Sequence, residues 1–190
     1  MSFQNSSFHL PGNQQNYQPE QPIAFSHQLH AGEMEISCQY CHYGAEDSRH
    51  AGIPAMDVCM NCHKFVNTTM NEIRLAEKEE RPVVNSKEIL KIYQSMGING
   101  SGSPKNEKQP TEWIKVHNLP DYVFFSHKPH INAGVECSQC HGAVSEMSRV
   151  KQENDLSMGW CLDCHRNAHT SLSASPGRTA QLQDCSACHY

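Results

Sequence analysis

The chain has 190 residues, 37% of them hydrophobic, and a mean hydropathy of −0.64. So polar a chain has little apolar side-chain surface with which to offset its ordering entropy, which excludes an ordinary side-chain core and asks for large apolar groups in its place. The net charge of −5 and pI near 6.2 exclude a basic footprint for nucleic acid, and no run approaches the roughly 20 apolar residues of a membrane helix.

Residues 1–22, rich in Gln, Asn and Pro, read as an extended arm. Beyond them the ten cysteines fall into five C-x-x-C-H motifs with none left over. They are Cys38, Cys41 and His42; Cys59, Cys62 and His63; Cys137, Cys140 and His141; Cys161, Cys164 and His165; and Cys185, Cys188 and His189. In such a motif two thiols add to the two vinyl groups of one haem, and the adjacent His lies beneath the ring as the proximal ligand of iron. A disulfide scaffold has no need of His after every second Cys. Zinc sites would pair the C-x-x-C units, and five units do not pair evenly. A thioredoxin-like dithiol needs one such motif in a βαβ setting, which is absent. The expectation is five covalently bound haems c.

The motifs sit in a repeat. Phe25-Ser26-His27-Gln28-Leu29-His30 precedes the first, and Phe125-Ser126-His127-Lys128-Pro129-His130 precedes the third, with the same offset to within one residue as Cys38 and Cys137. Met56 and Met158 each lie three residues before the next motif. This divides the chain into a dihaem block, 23–66, a connector, 67–111, and a trihaem block, 112–190. Within the connector, Asn67 to Met96 reads as helical: Thr68 to Arg81 stops at Pro82, and a second helix is capped by Ser86, carries Ile89, Leu90, Ile92, Tyr93 and Met96 on one face and closes at Gly97. Asn99 to Pro110 reads as a flexible linker by composition. Strand signals are confined to Trp113–Val116 and Tyr122–Phe125. The predicted fold is mainly α with extensive irregular loops, in two related blocks around a haem-organised core.

Eight histidines remain after the five proximal ones. His27 and His30, three apart, project from one side of a helical turn and should serve two haems packed near each other; His127 and His130 repeat the arrangement. His50, between the first two motifs, is a further axial candidate. His169 would leave the same helical face as His165 and so cannot reach the far side of the fourth haem. His117 is read as a turn residue or a weaker ligand candidate, and His9 as a surface residue. Met147 follows His141 much as His50 follows His42. If His50 serves haem two, Met147 is placed to ligate haem four, with packing against a haem edge as the alternative. In another scheme His30 takes haem two and His50 crosses to haem four.

The pattern F-x-H-x-x-H before C-x-x-C-H resembles the class III, or cytochrome c3/c7, haem-binding fold. That resemblance implies that His127 faces haem three and His130 haem five. His50-Ala51-Gly52-Ile53-Pro54 leading into the second motif, Trp113 to Asp121 (WIKVHNLPD) and Met158-Gly159-Trp160 resemble a narrower group, the pentahaem cytochrome c subunit of bacterial alternative complex III. This implies an electron-transfer subunit of a membrane quinol:electron-acceptor oxidoreductase. Its partners would be an iron–sulfur/molybdopterin-like subunit, integral membrane quinol-binding subunits and, as acceptor, a monohaem cytochrome c or an oxidase. A free periplasmic shuttle and a multihaem reductase are the alternatives; the reductase is disfavoured because all five motifs end in His. Haem c is attached outside the cytoplasm, which sets the chain on the periplasmic side of the inner membrane. Met1–Leu10 lacks the charged and apolar regions of a signal peptide, so an export signal or anchor is expected to precede this numbering or to have been removed.

Overall fold

The computed structural model describes residues 13–171 and 182–189, without the side chains of 168–171; His9 and the His169 side chain lie outside the described residues. Among the described residues seven α-helices follow in chain order: α1 (Cys38–Cys41), α2 (Met56–His63), α3 (Met70–Lys78), α4 (Lys87–Ser95), α5 (His127–Asn132), α6 (Cys137–His141) and α7 (Met158–Ser171). Short turns join them: a π-helical turn at Gln28–Glu33 and 3₁₀ turns at Tyr43–Ala45, Val144–Glu146 and Cys185–Ala187. The described residues contain no named strand. Trp113–Val116 has no regular secondary structure, Tyr122 lies in a turn, and of these residues only Val123 makes a bridge, to His189.

Each block hands its two-histidine turn to the other. The N–H groups of His127 and Lys128 donate to the Arg49 and Ser48 carbonyls, and the Gln28 N–H donates to the Met147 carbonyl. So α5 packs on the 3₁₀ turn Tyr43–Ala45, and the π turn packs on Val144–Glu146. Gly32 allows the second approach, because a Cβ there would meet the Ser145 carbonyl oxygen. Arg49 adds a bond from Nε to the Phe125 carbonyl at 3.0 Å, with its guanidinium 4.2 Å from the Phe124 ring centroid.

The connector is built from α3 and α4. Thr69 caps α3 by accepting the Glu72 N–H. Gly97, at φ +68°, ends α4 in a Schellman motif: its N–H reaches the Gln94 carbonyl and the Ile98 N–H reaches Tyr93. Of the predicted apolar face, Ile92 and Tyr93 are buried, and the Tyr93 hydroxyl donates to the His63 carbonyl at 2.6 Å, tying α4 to α2. The segment expected to be a flexible linker folds back on α4 instead. Lys105 and Asn106 both donate to the Gly97 carbonyl, Gln109 donates to Ser95, and the Asn99 side chain accepts from the Ser101 and Ser103 N–H groups. Its polar composition supplies turn chemistry rather than slack.

The arm, from residue 13 onward, is strapped across the trihaem block. Asn16 donates to the Gln152 carbonyl and Gln152 to the Tyr17 carbonyl, while the Gln21 amide exchanges bonds with both backbone groups of Ile114. Gln152 is fully buried and satisfied, accepting from Asn118 N–H and donating to the Asn154 carbonyl. The buried apolar set is thin: Ile23, Ala45, Ala76, Ile92, Tyr93 and Val116. Large apolar side chains in or beside the motifs are exposed on the polypeptide, among them Tyr40, Tyr43, Phe65, Val66 and Met158. Such a chain needs apolar partners at its motifs to complete a core.

Candidate functional site

Each C-x-x-C-H lies on or ends a helical turn, which puts the two thiols on one side and carries the His away just after them. None of the ten cysteines is in a disulfide. Contacts between motifs give their order in space. Asn61 of the second donates to the Tyr40 hydroxyl of the first at 2.9 Å. Burial and then the neighbouring Cys41 thiol raise the Cys59 pKa. Cys137 is raised by burial and by Cys38, with which it hydrogen-bonds; Cys140 by burial, then Cys164 and Cys161; Cys161 by burial, then Cys188. The motifs therefore run second, first, third, fourth, fifth.

Four proximal rings each have a histidine of a two-histidine turn about 6 Å away. His27 and His42 have centroids 6.5 Å apart at 7°, and their counterparts His127 and His141 lie 6.3 Å apart at the same angle. His30 faces His63 at 6.1 Å, and His130 faces His165 at 6.0 Å. With metal–imidazole bonds of about 2 Å, two rings on opposite sides of one iron have centroids roughly 6 Å apart. Direct ring contact is closer, as for Phe25 and His30 at 4.3 Å.

In six of these eight rings a backbone carbonyl holds the second nitrogen as a metal ligand requires, whereas Nδ1 of His27 is buried without a hydrogen-bond partner. Nδ1 of His42, His63 and His165 is bonded to the carbonyls of Gly52, Val66 and Leu182 at 2.6, 2.8 and 2.8 Å. Nδ1 of His30, His127 and His130 is bonded to the carbonyls of Ser26, Arg49 and Ser126 at 2.8, 3.0 and 2.7 Å. Each bond fixes the tautomer and leaves Nε2 free as a donor to metal. Phe25 and Phe125 explain the leading residue of the repeat, each packing edge-on to the first His of its pair and more nearly parallel to the second. Burial, then the neighbouring His42 and His30, lowers His27 to about 4, and burial with His117, His127 and His42 lowers His141 to about 4. Both are therefore neutral at neutral pH, the protonation state that metal ligation requires. The residues present fit haem c: paired thiols on one face, a proximal imidazole of set tautomer, and an opposed imidazole at axial spacing.

Three sequence expectations meet a different arrangement. The ring across from His165 is His130, where Met147 was expected; Met147 instead lies at the end of the 3₁₀ turn that packs on Gln28–Glu33, its carbonyl taking the Gln28 N–H. The same pairing turns His130 toward the fourth motif rather than the fifth. His50 is exposed and is not among the rings facing the four paired proximal histidines, because His30 already faces His63. The physical reason is shared: two histidines three apart on one short turn reach two adjacent motifs, so each block fills its own pair. His189 has the Tyr122 ring 5.9 Å away, and Val123 and Phe124 pair with His189 and Cys188 along the backbone. The residue whose role the sequence did not reveal is His117, whose Nε2 meets His141 Nδ1 at 3.1 Å.

Helical turns carrying paired thiols, opposed imidazoles and a haem-dependent core define a multihaem cytochrome c of the class III/c7 type, whose cofactor is covalently bound haem c and whose work is electron transfer. Residues 123–190 match the family described as cytochrome c7 and related cytochrome c, and residues 4–85 match the class III cytochrome C family. The chain is also similar to the multiheme cytochrome c subunit of menaquinone reductase from Nitratidesulfovibrio vulgaris. The two are 28% identical over 194 residues, which span 90% of this chain and 78% of that protein.

Proposed function

We propose that this chain carries five haems c and serves as the cytochrome subunit of a membrane quinol:electron-acceptor oxidoreductase on the periplasmic side of the inner membrane. The observation that carries the electron-carrier reading is the set of four opposed histidine pairs: His27 with His42, His30 with His63, His127 with His141, and His130 with His165. Bound there, haem supplies a one-electron couple whose potential follows axial ligand, burial and hydrogen bonding. At these four sites two imidazoles per iron would leave no position for a substrate, which favours relay over catalysis; at the fifth motif His189 has the Tyr122 ring beside it. The chain's residues space the sites, with the second and fifth motifs at the ends of the series, and six of the eight paired rings are fixed by an Nδ1 bond to a backbone carbonyl.

Membership of a complex is supported by the extent of the match to a menaquinone reductase subunit, and the stretches His50–Pro54 and Trp113–Asp121 favour alternative complex III in particular. There the partners are an iron–sulfur/molybdopterin-like subunit and quinol-binding membrane subunits, with a monohaem cytochrome c or an oxidase as acceptor. A second reading, delivery of electrons toward menaquinone, is favoured by the named activity of that relative. Among the described residues no helix is long and apolar enough to cross a membrane, so attachment would come from such partners or from an anchor. Purification of the native protein from solubilised membranes tests the proposal. Co-purification with iron–sulfur and integral-membrane subunits, and quinol-dependent reduction of a small cytochrome c, are expected. Isolation as a lone soluble cytochrome would overturn membership, and menaquinone reduction without quinol oxidation would select the second reading.

A further inference from the structure

The Nδ1 partners of four proximal histidines are not alike. His42, His63 and His165 are bonded to backbone carbonyls, whereas His141 meets the imidazole of His117 at 3.1 Å, the rings nearly perpendicular at 85° with centroids 4.4 Å apart. We infer that His117 is a positioning residue for His141, accepting its Nδ1–H and thereby lowering the reduction potential of the haem at the third motif. This rests on the proposed ligation of iron by His141 Nε2. Ligation through Nε2 leaves the proton on Nδ1, so the facing Nε2 of His117 is the acceptor and His117 carries its own proton on Nδ1.

The acceptor's chemistry gives the direction. A neutral imidazole nitrogen takes a proton near neutral pH, while an amide oxygen does so only in strong acid, so His117 draws the shared proton further from His141 than a carbonyl would. The ligand ring becomes more imidazolate-like, a better donor, and favours ferric over ferrous iron. The mounting is rigid. Val116 is buried, and the Asn118 N–H donates to the side chain of the fully buried Gln152, so the residues on both sides of His117 are anchored. The affected site is the third motif, the middle of the spatial series.

The test is a spectroelectrochemical titration of the full haem-loaded chain beside His117→Phe and His117→Gln, with haem content and spin state measured on the same samples. His117→Phe removes the acceptor at similar volume, and one midpoint potential is expected to rise while the others hold. His117→Gln offers an amide oxygen, the acceptor type of the other sites, and should give a smaller rise. Unchanged potentials in fully loaded, low-spin His117→Phe would overturn the inference; if that variant fails to mature, an unshifted His117→Gln does so. Failure of both to load the third motif would make His117 purely structural, which also overturns it. High-spin iron or a missing haem at the third motif of the wild type would instead sink the ligation reading beneath it.

Discussion

His130 faces His165 across 6.0 Å, with the two rings inclined by 28°, while His130 Nδ1 is tied to the Ser126 carbonyl. The fourth motif therefore pairs with the second histidine of its own block. His130→Ala should leave one iron five-coordinate and open it to carbon monoxide in the reduced state, whereas Met147→Leu should leave coordination intact. Carbon monoxide difference spectra check the first. A long-wavelength charge-transfer band in the ferric wild type that Met147→Leu abolishes would restore Met147 as a ligand.

His27 and His127 hold equivalent places, each 6.3–6.5 Å from its proximal partner with rings 7° from parallel. Replacing either by Ala should expose one iron to carbon monoxide without lowering the number of attached haems, because attachment depends on the thiols. Variants that stay six-coordinate and unreactive would break the link between the repeat and the ligands.

Gly32 lies where the two blocks meet, and a methyl group there would strike backbone, the Ser145 carbonyl, which does not yield as a side chain can. Gly32→Ala is expected to cost about 1–3 kcal/mol through overpacking. Denaturant unfolding followed in the haem absorbance reads the loss. An unchanged midpoint would show that the π turn does not seat on Val144–Glu146.

Glu72 accepts two nitrogens of Arg81, at 2.6 and 3.2 Å, and the Val84 N–H at 3.0 Å. The Arg81 bonds above all, then the Val84 N–H, hold its pKa down from 4.5 to about 2. A depressed carboxylate pKa contributes stability that is present above the unfolded value of 4.5 and lost as pH falls from there toward 2. Amide exchange in α3 should accelerate over that window, and the window should vanish in Arg81→Gln. The same acid response in Arg81→Gln would assign it to another group.

Much of this was legible from residue types alone. Ser86 stands at the N-cap of α4, although its side chain makes no capping bond, Gly97 marked the other end because C-cap chemistry is local, and the repeated C-x-x-C-H announced the cofactor because attachment needs only a helical turn. What escaped was the pairing across the chain. The sequence left His30 and His50 as alternatives at the second motif, and nothing local to Met147 records that His130 takes the place opposite His165. Asn99–Pro110 looked slack because Gly, Ser and Asn serve both open linkers and tight turns, and only packing against α4 distinguishes them. His117 looked like a turn residue because His141, the ring it meets, is distant in sequence.

The count of covalently bound haems tests the central claim most directly. Intact-mass spectrometry of the mature protein under denaturing conditions, which strips any group not joined through thioether bonds, should show the polypeptide plus five haem masses. A fully matured chain carrying four or fewer would contradict the account.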